Sequence, residues 1–478
     1  MRIFLDLSPN QTPTHRCRIV YAFRVFCAIY GHEPILQDDG ADPTSADVCI
    51  SYSTRPQTGS VPRRLQLGNR YVPRSPRDAA PPPTRFEADG EKTVLFYTAE
   101  NSAEPDWLAE IFEWISCADE YSAAARDPVG RIPFCDSYLG RHNLDACLPY
   151  AAVAMRFLQG AICRLIPASC PEPVCPVGTV RHFVIPTHDV DFFPLSRTDS
   201  FLRVAKNAAI SLFVDGLPGL STRQLIQAFR LLLGGEDPLD QLPKLAHREF
   251  ELGIRATYFF LTARRHRRDA NYSIDHPAIA DVMRRLTNLS MEIGLHGSYK
   301  SLDRPDGLIE EIAVLQAQGY KPIGERQHWL RFTLDRLVPA AERARIAYDT
   351  SLGWSERLGF RAGACFPFPL YDFTHERPAS VMEIPMVAMD QSKTGGQGTK
   401  FASCEDLASL LATSRRFGWG GISILWHPTA FGGGQLPDEV GQAYWRLARE
   451  RAEMNDTWIT AEAFLQLVRE RYAQVGLL

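Results

Sequence analysis

Apolar residues in the C-terminal half of the chain fall into short runs of strand length that alternate with longer runs of helical period. Strands are predicted at residues 183–185, 256–261, 291–295 and 421–426. Helices are predicted at residues 242–252, 277–289, 308–318, 339–346, 404–417, 439–454 and 461–472. Strands joined through helices run parallel, and this many units favours a barrel over an open sheet. The predicted fold class is therefore α/β, with a (β/α) barrel in this half.

The N-terminal part shows a smaller α/β pattern. Strands are predicted at residues 2–7, 48–52 and 93–97, and helices at residues 18–30, 107–115 and 151–165. Prolines concentrate between residues 167 and 178, which is typical of a linker. We therefore predict an N-terminal α/β accessory domain at 1–170, a linker at 171–179 and the barrel at 180–478. Residues 192–240 form a partly helical insertion after the first barrel strand, placed where it could cap a site.

Composition and charge narrow the class of protein. The 478 residues are 45% hydrophobic and 23% charged, which is ordinary for soluble globular chains. A net charge of −4 argues against general nucleic-acid binding. No apolar run reaches membrane-spanning length, and the N-terminus is charged too early for a secretory signal. The eleven cysteines lack metal-type CxxC pairs and are expected to be thiols in a reducing compartment. A cytoplasmic protein without a membrane span is predicted, with membrane association left open.

Reactive side chains stand where the predicted barrel strands end. Two carboxylates follow the apolar run at 183–185, and since residues two apart in extended chain share a face, Asp189 and Asp191 can serve one site. The following strands end in His296, in Arg326 with His328, in Asp349 and in His427. The carboxyl ends of barrel strands form one face, where α/β barrels keep their chemistry. One aspartate with two histidines suits a divalent metal that keeps positions open for water and substrate.

The order of these motifs resembles the NodB-homology polysaccharide deacetylases, across about residues 180–430. The resemblance implies a deformed (β/α) barrel that hydrolyses N-acetyl groups on sugars with a divalent metal. It implies that Asp189 is the catalytic base and that Arg326 holds it. It assigns Asp191 and His296 as metal ligands and His427 as the general acid. The remaining implied residues are Asp349, which orients the acid, Trp354, which walls the groove, and Leu425, beside the acyl pocket.

The sequence departs from the family pattern at two places. Val190 separates the two aspartates, and Lys300 occupies the position of the usual second histidine. Protonated lysine is a poor metal ligand. His328 is predicted as the third ligand and His188 as the alternative, although the His188 side chain is expected to point away from Asp189. His328 could instead line the groove beside Trp329.

The predicted function is metal-dependent removal of an N-acetyl group from an amino sugar, in surface-polysaccharide or lipopolysaccharide precursor synthesis. The cofactor is a divalent ion, with Zn²⁺ expected first and Co²⁺ or Ni²⁺ as alternatives. The partner is an N-acetylated sugar or oligosaccharide, which a carrier could hold; the arginine-rich run at 264–268 could meet its phosphate. Trp329, Trp354, Arg361 and Leu425 are predicted to bind substrate, although Arg361 could simply pair with an acid. An O-deacetylase, a deformylase and a carbohydrate-binding pseudoenzyme remain alternatives.

Overall fold

The structure is a computed structural model. It describes residues 1–7, 11–37, 43–52, 63–68, 71–88, 90–97, 104–123, 125–166, 171–176, 178, 182–394 and 400–478. Residues 177 and 179 of the predicted linker therefore lie outside the described residues.

The N-terminal part is built on a parallel four-stranded sheet in the order β2-β1-β3-β4. Its elements are β1 Arg2–Asp6, α1 Pro13–Tyr30, β2 Glu33–Leu36, β3 Val48–Ser51, β4 Arg64–Gln66, β5 Thr84–Ala88, β6 Glu91–Leu95, α2 Trp107–Ile115, α3 Ala118–Ser122, α4 Tyr138–Arg141 and α5 Tyr150–Leu165. Helix α1 begins five residues before the predicted start at 18, because the Thr12 side chain accepts a hydrogen bond from the His15 N–H and Pro13 fits the first turn. It ends at Gly31, whose φ of 67° suits glycine.

The C-terminal part is built on a ten-stranded, mostly parallel sheet in the order β12-β13-β11-β10-β9-β8-β7-β17-β14, with β18 on β7. The strands of this part are β7 His182–Val190, β8 Thr257–Leu261, β9 Glu292–Gly297, β10 Gly324–Gln327, β11 Tyr348–Asp349, β12 Phe368–Asp372, β13 Arg377–Glu383, β14 Met386–Met389, β15 Lys393–Thr394, β16 Lys400–Phe401, β17 Gly420–Leu425 and β18 Asp456–Trp458. Its helices are α6 Arg197–Phe213, α7 Pro218–Leu232, α8 Leu242–Glu251, α9 Pro277–Asn288, α10 Gly307–Ala317, α11 Leu334–Arg343, α12 Cys404–Phe417, α13 Asp438–Glu450 and α14 Ala461–Gln474.

The large sheet curls because one short stretch of chain contributes strands near both of its ends. Only two residues separate β13, which pairs with β11, from β14, which pairs with β17. The carboxyl ends of β7, β9, β10, β14 and β17 consequently converge on one face. The predicted α/β class is confirmed, with a curled sheet.

The structure corrects the sequence predictions at three points. Helix α11 was expected to begin at Pro339, but it begins at Leu334 and carries the proline inside. Its apolar face, which includes the buried Leu337 and Val338, outweighs the missing proline N–H. Strands β12, β13 and β14 were not predicted. The expectation of thiols throughout also fails at Cys163, which is disulfide-bonded.

The two parts of the chain pack closely. Their sheets are separate, yet buried apolar side chains of both parts join in one cluster. Arg18 of α1 forms a bidentate ion pair with Glu376, at 2.7 and 2.9 Å. A division into domains at 1–170 and 180–478 stays a prediction. In the described part of the chain, every helix is too short or too polar to cross a bilayer.

Candidate metal and catalytic site

The carboxyl ends of three strands of the sheet deliver the potential metal ligands. Asp191 comes directly after β7, His296 lies near the end of β9, and His328 follows β10. Strands β9 and β10 are parallel neighbours, with His296 in register with Arg326. The alternation of side chains along β10 and the turn after it bring His328 to the same side of the sheet as His296. The structure therefore brings together the three ligands predicted from the sequence.

The three ligand atoms form a nearly equilateral triangle. Asp191 Oδ1 lies 3.2 Å from His296 Nε2 and 3.3 Å from His328 Nδ1, and the two nitrogens are 3.0 Å apart. Ligands that bind one Zn²⁺ at about 2.0–2.1 Å lie about 3.0–3.4 Å from one another. The spacing therefore fits a shared cation.

The hydrogen bonds of the two imidazoles also favour a cation. His296 Nδ1 donates to the Arg326 carbonyl oxygen at 2.8 Å, and His328 Nε2 donates to the Arg268 carbonyl oxygen at 2.7 Å. When neutral, each ring then presents a lone pair to the other, and two lone pairs cannot bond without a positive centre between them. Carbonyl acceptors of this kind orient metal-binding histidines. Asp191 Oδ1 is buried beside them without a hydrogen-bond partner.

The pKa shifts within the cluster also indicate that it favours a positive charge at its centre. Burial by itself raises the pKa of Asp191, but the neighbouring imidazoles of His328, His296 and His427 hold this pKa well below its usual range. Burial by itself lowers the pKa of His328, yet the Asp191 carboxylate outweighs it and raises this pKa. Protons and a metal ion would therefore compete for one position.

Asp189 lies next to this triangle and is held by a buried arginine. Arg326 Nη1 donates to Asp189 Oδ1 at 3.0 Å, and the guanidinium also donates to Thr187, Thr350 and Ser423. The other Asp189 oxygen, Oδ2, lies 3.5 Å from His296 Nε2. The arginine occupies one oxygen of the carboxylate, and the second oxygen faces the potential metal position.

His427 lies beside Asp191 and is oriented by an acid that the sequence did not predict. Its Nδ1 lies 3.0 Å from Asp390 Oδ2, and its backbone N–H donates to the same oxygen at 2.8 Å. His427 Nε2 lies 3.5 Å from Asp191 Oδ2. Burial by itself lowers the pKa of His427, but Asp390 outweighs it, with help from Asp191 and Asp189, and raises this pKa to about 10.

The expectation that Asp349 orients His427 needs correction. Asp349 accepts hydrogen bonds from the Ser351 N–H and hydroxyl at 2.9 and 2.8 Å and pairs with Glu383. Asp390 directly follows the apolar run Met386–Met389, which is strand β14. The sequence signal that could have identified Asp390 is an acid at the end of an apolar run, the same signal that identified Asp189.

Of the four residues predicted to bind substrate, Trp329 and Leu425 lie close to His328 and His427 along the chain, whereas Arg361 and Trp354 contact each other. Trp329 is 41% exposed at the rim, where the Arg268 guanidinium lies over its ring at 5.0 Å. Leu425 is buried at the end of β17, beneath His427. Arg361 forms a bidentate ion pair with Glu120 at 2.6 and 2.8 Å, which supports its alternative role as the partner of an acid. Trp354 is buried against this arginine, away from solvent.

The alternative ligands do not join the triangle. His188 bonds the Trp426 carbonyl oxygen at 2.6 Å and Glu249 at 2.9 Å, on the opposite face of β7. Lys300 is exposed. The geometry therefore selects His328 over His188.

Comparison with known proteins finds similarity among solved structures. No protein-family model and no curated protein matches the chain. Among solved structures, the chain is similar to a Mycobacterium smegmatis protein provisionally described as a polysaccharide deacetylase, with a TM-score of 0.40 and 18% identity over 63% of this chain and 94% of that one.

Proposed function

We propose that this protein is a metal-dependent hydrolase that removes an N-acetyl group from an amino sugar. The observation that carries the proposal is the metal-fitting triangle of Asp191, His296 and His328, flanked by an arginine-held carboxylate and an acid-oriented histidine. Amide hydrolysis needs a base for water and an acid for the leaving amine on opposite sides of one carbonyl. The position of Asp189 beside His296 and of His427 beside Asp191 supports these two roles.

The division of labour follows from these contacts. Asp191, His296 and His328 would hold the ion, which when bound lowers the pKa of water and polarises a carbonyl. Arg326 holds one oxygen of Asp189, so the other Asp189 oxygen is free to take the proton from the attacking water. His427, protonated through its contact with Asp390, gives its Nε2 proton to the leaving nitrogen. Acetate and a free amino sugar result.

Finer parts of the proposal come from the motif resemblance. The substrate would be an N-acetylated sugar of surface-polysaccharide or lipopolysaccharide precursor synthesis, and the ion would be Zn²⁺, with Co²⁺ or Ni²⁺ as alternatives. The enzyme would act in the cytoplasm, which cell fractionation tests directly.

The test is acetate release from a panel of free and nucleotide-linked N-acetylhexosamines. We expect turnover by the wild type, and a loss of at least about 100-fold in Asp189→Ala and His427→Ala. His375→Ala, which alters a histidine with a 67% exposed side chain, serves as the control. Unchanged turnover in either site variant would sink the assignment. Release from O-acetylated sugars alone would identify an O-deacetylase, and sugar binding without release a pseudoenzyme.

A further inference from the structure

The insertion after β7 forms a helical hairpin, α6 and α7. Its packing is the reverse of the usual arrangement in water-soluble proteins, with mostly small residues between the helices and large apolar residues outside. The buried seam of α6 consists of small side chains, Ser200, Val204, Ala208 and Ser211. The buried seam of α7 is Ser221, Gln224, Ala228 and Leu231. Small residues between helices with large apolar residues outside are typical of helices that face lipid.

Most of the large apolar side chains of the hairpin point to solvent, although Leu231 is buried. Ten of the eighteen strongly exposed large apolar side chains in the described part of the chain belong to it: Leu202, Ile210, Leu212, Phe213, Val214, Leu225, Ile226, Phe229, Leu232 and Leu233. Phe213 is 81% exposed and Phe229 is 61% exposed. On α7, Leu225, Phe229 and Leu232 recur at helical spacing and form one continuous stripe. An exposed apolar surface of this extent marks a docking site.

The charge of the hairpin identifies the chemistry of its partner. Residues 197–233 contain five basic and two acidic residues, so the hairpin is positive in a chain of net charge −4. Lys206 is exposed on α6, and Arg223 and Arg230 are exposed along one edge of the α7 stripe. Basic residues that border an apolar helix face are the pattern of segments that lie in an anionic membrane interface.

The hairpin also adjoins the mouth of the active site. The Arg203 guanidinium lies over the Phe192 ring, at 5.1 Å, one residue after Asp191. Asn207 and Gln227 donate hydrogen bonds to the carbonyl oxygens of Gly434 and Gly432, in the loop that follows His427. Arg264 and Arg267 are exposed in the loop that leads to Arg268, whose carbonyl oxygen bonds His328. Exposed basic residues therefore lie both on the hairpin and in the loop at the rim of the site.

We propose that the α6–α7 hairpin docks this protein on the surface of an anionic lipid bilayer, so that the site receives an amino sugar attached to a lipid carrier. The substrate class in this statement rests on the proposed deacetylase function; the docking does not. Neither helix spans the bilayer, and the outer face of the hairpin would lie in the headgroup region.

The test is co-sedimentation with vesicles of phosphatidylglycerol and phosphatidylcholine, compared with vesicles of phosphatidylcholine alone. We expect the wild type to bind the anionic vesicles and the double variant Leu225→Asp/Phe229→Asp to bind at least about tenfold more weakly. Ile309→Asp/Val314→Asp, which alters two exposed apolar residues of α10, is the matched control and should bind like the wild type. Lys206→Gln and Arg230→Gln should each weaken binding to anionic vesicles about fivefold.

Several outcomes would overturn the docking proposal. One is a wild type that ignores anionic vesicles, and another is full binding by Leu225→Asp/Phe229→Asp. A third is a wild-type dimer without vesicle binding that this double variant converts to a monomer, which would make the face a subunit interface. Vesicle binding by a protein that releases no acetate would sink the proposed function and leave the docking intact. If both hold, the double variant should raise KM for a vesicle-anchored sugar and leave turnover of a soluble sugar unchanged.

Discussion

At the scale of single residues, the site works through pairs in which a buried group, backbone or side chain, fixes the orientation or charge of a reacting side chain. Carbonyl oxygens of Arg326 and Arg268 set which nitrogen of His296 and His328 faces the centre. Asp390 sets the charge and direction of His427. The reacting groups themselves are therefore few, and each depends on a buried partner.

Removal of His328 should abolish metal binding. We expect about one equivalent of metal in wild type purified without chelator and little in His328→Ala, because two remaining ligands hold a divalent ion weakly. Elemental analysis measures this directly, and His375→Ala should keep the wild-type content. Metal retained by His328→Ala would return this histidine to the groove-lining alternative.

Removal of the Asp390 charge should shift the alkaline limit of activity. The acid must be protonated, and Asp390 is the largest influence that raises the pKa of His427, to about 10, so activity should persist well above the ordinary His value of 6.5. In Asp390→Asn this pKa falls, and the alkaline limb of the kcat profile should move to lower pH by at least about one unit. Asp349→Asn should leave the limb in place, because Asp349 bonds Ser351 and Glu383. The reverse result would restore the role first predicted for Asp349.

At the scale of elements, three neighbouring strands carry a row of buried acids. Glu325 of β10 is in register with Asp349 of β11, which is in register with Glu383 of β13. Burial raises the pKa of all three, and mutual proximity raises it further for Glu325 and Glu383. Parallel pairing has thus stacked acidic groups whose pKa values are all raised.

This row should make the folded state less stable as pH rises. Above the ordinary Glu value of 4.5, the unfolded chain releases protons that the folded pair of Asp349 and Glu383 retains, so the free energy of unfolding falls with pH. From pH 5 to pH 8, we expect the free energy of unfolding of Glu383→Gln to rise by at least about 1 kcal/mol relative to that of the wild type. Urea denaturation at both values measures the change. A difference between Glu383→Gln and wild type that does not change with pH would contradict this prediction. Glu87→Gln, which alters an exposed side chain, should show no pH-dependent difference from wild type.

At the scale of the whole molecule, the N-terminal part and the curled sheet are joined by buried contacts. The pair of Arg361 with Glu120 and the pair of Arg18 with Glu376 both cross between them, and the apolar core is continuous. The N-terminal part therefore supports the wall of the sheet, and we expect both parts to unfold in one transition.

Loss of the Glu120 carboxylate should destabilise the entire chain. Arg361 is 8% exposed, and a buried guanidinium without its partner costs about 3–5 kcal/mol. Glu120→Ala should therefore lower the free energy of unfolding by roughly this amount in urea denaturation. Glu405→Ala, which breaks an exposed pair with Arg446, should leave it unchanged. Two separate transitions in the wild type would show instead that the parts fold independently.

The sequence by itself determined what local pattern controls. Strand and helix alternation follows from apolar periodicity, and most elements of the C-terminal part lie within a few residues of their predicted bounds. The placement of Asp191, His296 and His328 together was also predictable, because parallel strands present their carboxyl ends on one face. Their roles in binding a metal stay predictions.

Only the tertiary structure decided the pairings between distant segments. Asp390, rather than Asp349, meets His427 because β14 lies beside β17. The sequence did not predict β14, because no predicted helix separates it from the residues before it. Arg361 meets Glu120 from 241 residues away. The outward face of the α6–α7 hairpin was likewise unreadable, since the apolar period of a helix is the same whether that face meets a core or a bilayer. Periodicity fixes which residues share a face, while the packing of the whole chain fixes what that face meets.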